Sequence, residues 1–335
     1  MTTIVLDAMG TDTYPDTDVR GAVMAAQEYD LDLILVGDEK RIRPLLESLS
    51  QKDLSIRIVH APEMLTMDDK GDDLVRMARH KDAQNSMAIG MDLVKNGEAD
   101  AFVSAGNTGA AMVTALFRLG RLKGINRPAL APTFPTETGS CLVLDIGANP
   151  DCKPRNLVDF AIMGSVYAEK FYGRTKPKIG LVSNGEEAGK GSSLVRETYP
   201  LLEETDINFI GNVEGKGVIC GEVDVAVTDG FTGNVMLKTS EAIAKLVTGK
   251  IKEAVLNGNI LTKIGGLLLK PALKGVRSAL NPSDVGAVPL LGVKELVFIG
   301  HGSSDASAIK NAIRAAKEAV EADVLTSLRE AVEKK

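Results

Sequence analysis

Short, continuous apolar runs recur along the chain, each ending in a turn of Gly, Asn, Asp or Ser. Six stand out: 3–7 (TIVLD) before AMGTD, 99–105 (ADAFVSA) before GNTG, 141–145 (CLVLD) before IGANP, 178–183 (KIGLVS) before NGEEAGKG, 223–228 (VDVAVT) before DGFTGN, and 295–300 (ELVFIG) before HGSSD. Continuous rather than alternating hydrophobicity predicts strands buried on both faces, as in a parallel sheet covered by helices. Apolar spacing predicts helices over 156–171, 191–204, 233–256 and 305–333. With no internal repeat and no Pro- or Ser-rich linker, the expectation is one α/β domain over 1–335, three-layer αβα with a mostly parallel sheet. Ligands of such sheets bind at the carboxyl ends of the strands, so the six loops are where chemistry is expected.

The segment 254–283 (AVLNGNILTKIGGLLLKPALKGVRSALNPS) departs from this pattern. It holds Lys263, Lys270, Lys274 and Arg277 and no acidic residue. Pro271 is expected to open a helix, and Leu269, Leu273, Val276 and Leu280 form an apolar stripe with the later bases beside it. A projecting basic, amphipathic helical hairpin is predicted. It has three candidate occupants: anionic lipid, an acidic partner protein, or the second subunit of a dimer.

Composition narrows the function. With 39 Lys plus Arg against 45 Asp plus Glu the formal charge is −6, aromatics are 4% and Trp is absent. Neither a basic stripe nor a stacking platform for nucleic acid is present. The 3 cysteines, Cys141, Cys152 and Cys220, lack CxxC spacing, and His60, His80 and His301 are the only histidines. No metal and no cofactor is therefore expected. The first residues enter a strand without a charged-then-apolar leader, and the longest uncharged run, 101–117, is polar and short for a bilayer. The expected location is cytoplasmic.

The loops offer anion chemistry. GNTGAAM (106–112) opens a helix, where Asn107 and Thr108 can cap the first turn and main-chain N–H groups can meet an anion. TDGFTGN repeats the logic with Asp229, Gly230, Gly233 and Asn234. In NGEEAGKG, Lys190 between glycines suits a phosphate, but Gly191 stands where a Walker A loop needs Ser or Thr. For each of these the competing reading is an N-cap or a packing residue. His301 before two serines is equally compatible with a structural hydrogen bond. There is no GxSxG elbow, and none of the cysteines has an evident activating base.

In their order, DAMG, SAGNTGA, RPALAP with LDIGAN, NGEEAGKG, GNVEG, VTDGFTGNVMLK, PLLG and HGSS resemble the phosphate acyltransferases of bacterial phospholipid synthesis, the PlsX family, over essentially the whole chain. Two stretches depart from the family pattern: Thr11 and Tyr14 lie in DAMGTDTYP where the family usually reads DAMGGD, and Val285 and Ala287 lie in VGAVPLLG. The resemblance implies a fold similar to isocitrate dehydrogenase and phosphate acetyltransferase, a homodimer, and peripheral membrane association. The implied reaction moves an acyl group from acyl carrier protein to inorganic phosphate.

On that reading the protein holds and aligns an ionised phosphate and stabilises an oxyanion. Asn107 and Thr108 with neighbouring amides are expected to bind phosphate, aided by Lys190. Asn234 is expected to serve the oxyanion or the thioester, and Asp229 to orient Lys190 or handle a proton. Asp7, Ser104, Asn149, Gly230, Gly233 and His301 are expected in the same pocket. Rival readings are a phosphate acetyltransferase using acyl-coenzyme A, an isocitrate-type dehydrogenase, and a non-catalytic binder of acyl chains or carrier protein.

Overall fold

All six apolar runs form strands: β1 (Thr3–Asp7), β4 (Ala101–Ser104), β7 (Gly139–Leu144), β8 (Ile179–Val182), β10 (Val225–Val227) and β12 (Leu296–Ile299). The other strands are β2 (Asp32–Gly37), β3 (Ile56–His60), β5 (Ala129–Leu130), β6 (Thr133–Thr136), β9 (Phe209–Val213) and β11 (Val288–Leu291). This computed structural model describes residues 1–49, 54–69, 71–80, 82–279 and 286–334, and the backbone alone at 72, 73, 79 and 270–279.

Among the described residues the strands form two sheets. One has seven strands in the order β3-β2-β1-β4-β12-β11-β5, the other five in the order β6-β7-β10-β8-β9. The stretch from β3 to β12 is parallel, and β11 runs antiparallel to both β12 and β5. In the second sheet only β6 is antiparallel. The chain steps outward from β1 to β2 and β3, then returns to β4 on the other side of β1. That reversal is a topological switch point, and it opens a crevice between the carboxyl ends of β1 and β4.

Helices cover both faces, as parallel strands require. In the first half these are α1 (Asp16–Glu28), α2 (Glu39–Leu49), α3 (Gly71–Arg79), α4 (Ser86–Lys95) and α5 (Thr108–Arg118). The second half has α6 (Pro154–Tyr172), α7 (Ser193–Glu203), α8 (Gly215–Cys220), α9 (Gly230–Asn257), α10 (Ile260–Ala279), α11 (Ala306–Glu321) and α12 (Val324–Glu333). α1 packs on α11, and α4 lies on β1, β2 and β4 beside α5. α6 lies on β7 and β10 between α7 and α12. One core runs through both sheets, joining Leu6, Val103 and Phe298 of the first to Leu144 and Val227 of the second and Phe160 of α6.

Two expectations need correction. The helix expected over 305–333 is two helices, broken at Asp323, which takes a left-handed φ of 52°. Pro271 does not open a helix: α10 begins at Ile260, where Asn259 Oδ1 accepts the Thr262 N–H at 2.9 Å, and it continues past position 271. A capping Asn upstream outweighs the preference of Pro for a first turn.

Residues 254–283 thus cover the end of α9 and all of α10. Val235, Ile243, Leu246, Val247, Leu261, Leu268 and Leu269 on this pair are exposed, and so is Lys263. The side chains of Lys270, Leu273, Lys274 and Arg277, and residues Leu280 and Val285, lie outside the described residues.

Phe102, in the middle of β4, is completely buried against Gly90 of α4. Replacing it with Ala should cost about 3–5 kcal/mol, because the cavity cannot close between a rigid strand and helix; the shift in urea midpoint measures it.

Candidate active site

At the switch point β1 ends in Asp7 and β4 in Ser104, both buried. Asp7 Oδ1 accepts the Met9 N–H at 3.1 Å and Oδ2 accepts the Ser104 hydroxyl at 2.8 Å. The Ser104 oxygen in turn accepts the Gly106 N–H at 3.1 Å. These two residues therefore brace two strand-end loops against each other. Gly10 completes the contact, for a Cβ there would stand 2.8 Å from the Gly106 nitrogen. Burial pushes the Asp7 carboxyl above its ordinary range, against hydrogen bonds from Ser86, Ser104 and Met9 that favour its charged form.

Asn107 caps α5, its Oδ1 accepting the Ala110 N–H at 3.1 Å. Its Nδ2 donates to the carbonyls of Thr66 and Asp69, both at 3.1 Å. The amide thus clamps the 66–69 loop to the helix start. Thr108 and Gly109 are exposed, and as first-turn residues their N–H groups have no intrahelical acceptor. His301, also exposed, lies in the turn after β12. Its neighbour Gly302 packs on Asp12 and Met67, with a Cβ position 2.6 Å from Asp12 Oδ1. Its Nδ1 accepts the Ser303 N–H at 3.2 Å and lies 2.8 Å from the Ser303 hydroxyl. His80 likewise accepts the N–H two residues on, from Asp82, at Nδ1, so this is local turn geometry. It leaves Nε2 of His301 as the protonated nitrogen, a donor.

The second sheet presents a matching corner. Asp145 follows β7 and is buried, and the Leu144–Asp145 peptide is cis. Its Oδ1 accepts N–H groups of Leu130 (3.0 Å), Ile146 (2.8 Å) and Ala148 (3.2 Å). Oδ2 accepts both the main-chain and the side-chain N–H of Asn149, at 2.6 and 3.0 Å. Burial raises this carboxyl as well, against those hydrogen bonds. Asn149 is buried and also donates to the Pro128 carbonyl at 2.7 Å, while its own carbonyl accepts the Gly230 N–H at 2.8 Å.

α9 is thereby seated on the 145–149 loop. A side chain at Gly233 would overlap the Asp145 carbonyl oxygen. Asn234, exposed on this first turn, has its Cγ 4.0 Å from where a Cβ on Gly147 would stand. Asp229 caps α9, its carboxylate accepting the N–H (2.8 Å) and hydroxyl (2.9 Å) of Thr232.

The expected Asp229–Lys190 contact is not made: Asp229 fills the helix cap, and Lys190 forms no ion pair among the described residues. Lys190 is exposed and folds back over its own loop, its Cγ 2.9 Å from a Cβ position on Gly185.

Three groups result. Asp7, Ser104, Asn107, Thr108 and His301 lie at the first sheet, and Asn149, Asp229, Gly230, Gly233 and Asn234 at the second; Lys190 stands on a third loop. The first two groups are linked by the 145–149 loop. It bonds to Leu130 of β5, and its Ile146 and Ala148 pack on the core that holds Ala110 and Ala111 of α5. Asp145 was not among the expected site residues. Its signal was present, since CLVLD repeats the Val-Leu-Asp ending of TIVLD.

No group of His, Cys, Asp or Glu able to hold a metal occurs among the described residues. Burial lifts the Cys141 and Cys152 thiols to about 12, so neither offers a thiolate at neutral pH. Asp145→Ala leaves several buried N–H groups without an acceptor. It should destabilise the fold by at least about 3 kcal/mol, measured by urea unfolding.

The family described as "Fatty acid synthesis protein" matches residues 2–327. A phosphate acyltransferase of Pelotomaculum thermopropionicum is 47% identical over 330 residues, covering 98% of this chain and 95% of that protein. One of Elusimicrobium minutum is 45% identical over 332 residues, covering 98% and 95%. Among solved structures, a phosphotransacetylase from Streptococcus pyogenes superposes with TM-score 0.62 at 19% identity, covering 99% of this chain and 94% of that one. The EutD phosphotransacetylase from Staphylococcus aureus gives 0.60 at 18%, covering 95% and 94%, which extends the shared fold to the phosphotransacetylases. By its match along nearly the full length, the chain is a member of the phosphate acyltransferase family of fatty acid synthesis proteins.

Proposed function

We propose that the protein transfers a fatty acyl group from acyl carrier protein to inorganic phosphate, releasing the carrier thiol and an acyl phosphate for phospholipid synthesis. One observation carries this reading: the 145–149 loop, at the carboxyl edge of the second sheet, seats the start of α9 through Gly230, bonds to β5 of the first sheet, and shares an apolar cluster with Ala110 and Ala111 of α5. At α5 the free Thr108 and Gly109 N–H groups and the helix dipole favour an oxyanion without a charged side chain.

Phosphate esters have a second pKa of about 6, and free phosphate is similarly ionised at neutral pH, so it needs little base assistance. One phosphate oxygen attacks the thioester carbonyl, negative charge develops on the carbonyl oxygen, and the C–S bond breaks as the carrier thiolate leaves. Thr108 and Gly109 N–H groups are assigned to phosphate, and Asn234 to the carbonyl oxygen, which needs donors placed before the reaction begins. Asn107 serves by holding the α5 cap and the 66–69 loop. The His301 Nε2–H adds a donor at the first-sheet edge, and Lys190 adds positive charge for phosphate as it enters.

Mixing palmitoyl carrier protein, phosphate and enzyme should give free carrier thiol and acyl phosphate in equal amounts. Thiol release with acetyl-coenzyme A alone would instead mark an acetyltransferase, and complex formation without product a binding protein. Lys190→Ala should raise the phosphate KM or lower kcat by at least about tenfold, near 1.4 kcal/mol; unchanged kinetics would remove Lys190 from the site.

The exposed apolar residues of α9 and α10 support a further part of the proposal, a homodimer built on this helix pair. Lipid and carrier protein are the competing occupants. Leu246→Glu should convert a dimer to a monomer in sedimentation. Loss of vesicle flotation in Leu269→Glu with the dimer intact would assign the α10 end to anionic lipid.

A further inference from the structure

Asp18 lies in the first turn of α1 and is completely buried. Thr11 Oγ1 donates to its Oδ2 at 2.6 Å, whereas Oδ1 is buried with no hydrogen-bond partner. The other buried carboxyl of this corner, Asp7, is close enough for its charge to act on Asp18. Between them runs the 8–15 loop, whose Gly10 packs directly on the main chain of Ala105 and Gly106, one residue before the α5 cap.

A buried carboxylate with an unpaired oxygen and no cation is costly, and a second one beside it more so. Charged groups described on the elements around α1 have partners elsewhere. Arg41 of α2 donates to the Tyr14 carbonyl at 3.1 Å. Asp305 caps α11 through the Ala308 N–H, and Lys310 of α11 pairs with Glu28 at the far end of α1. Asp32 of β2 accepts from Ser55, and on α1 itself Arg20 pairs with Asp16. Asp12 lies against Gly302. Burial first, and the Asp7 charge in addition, lift Asp18 to about 7, while Thr11 opposes the shift.

We propose that Asp18 is a positioning residue for anion capture: as a neutral acid it leaves the Asp7–Asp18 pair with a single negative charge beneath the Gly10–Gly106 contact, and release of its proton to solvent adds a second charge there and weakens phosphate binding at the start of α5. The inference rests on phosphate being the acyl acceptor.

The test compares the phosphate KM of wild type and Asp18→Asn from pH 6 to pH 8.5. Asn keeps the shape of the side chain and cannot ionise. Ionisation of phosphate itself acts on both proteins and cancels in the ratio of KM values. That ratio, wild type over variant, should rise at least about threefold with a midpoint near 7 while the kcat ratio stays level; a flat ratio overturns the proposal.

Thermal unfolding without phosphate supplies a second readout. The folded protein binds this proton more tightly than the unfolded chain, whose ordinary value is 3.8. Wild-type stability relative to Asp18→Asn is therefore full below about pH 4, falls as pH rises to about 7, and is constant above it. A Tm difference that does not change over this window also overturns the proposal.

Should Asp18→Asn fail to fold, Thr11→Val removes the hydroxyl that favours the charged form and should move the midpoint of the wild-type KM profile upward; an unmoved midpoint counts against Asp18. Absence of any phosphate-dependent turnover in wild type would instead defeat the function reading, and this inference with it.

Discussion

Asp145 accepts five hydrogen bonds, from the main chain of Leu130, Ile146, Ala148 and Asn149 and from the Asn149 amide, and through them the end of one sheet is fastened to the edge of the other. A loop packed between two sheets carries main-chain donors that water cannot reach, and each must find an acceptor. A carboxylate has the lone pairs to serve several at once. The consequences extend outward: Asn149 is held, its carbonyl receives Gly230, and α9 begins where a side chain at Gly233 would not fit.

Asp7 does the corresponding work at the first sheet with fewer donors, joining the loop after β1 to the loop after β4 through Ser104. Acids at strand ends therefore act here chiefly as internal acceptors. The donors left for a ligand are the Thr108 and Gly109 N–H groups of the α5 first turn, with Asn234, Lys190 and the Nε2–H of His301. Such an arrangement suits a reaction whose nucleophile arrives already ionised, because the protein then needs to supply position and positive potential more than a base. The two cysteines with thiols near 12 fit the same division of labour.

Much of the scaffold could be read from the chain. The six apolar runs became strands because residues such as Leu6, Val103 and Val227 leave no polar face, and only a doubly covered sheet buries such a run. The caps were legible too: Asn107 and Asp229 each precede a helix and each accepts a first-turn N–H. Other expectations failed where a local rule met a competing neighbour. Asn259 starts α10 ahead of Pro271, and Asp323 breaks what periodicity drew as one helix. Asp229, expected to orient Lys190 or handle a proton, is held by Thr232 at the α9 cap.

Residue types and their order along the chain determined the layered α/β class, the strand-end loops and the helix caps, because burial periodicity and capping act over a few residues. Tertiary structure alone decided that the described strands divide into two sheets, that Asp7 and Asn149 brace loops, and that Asp145 links the halves. It also decided that Asp18 and Asp7 share one buried corner. Those outcomes depend on which donors and charges meet across tens of residues of chain, and on which of them water is excluded from.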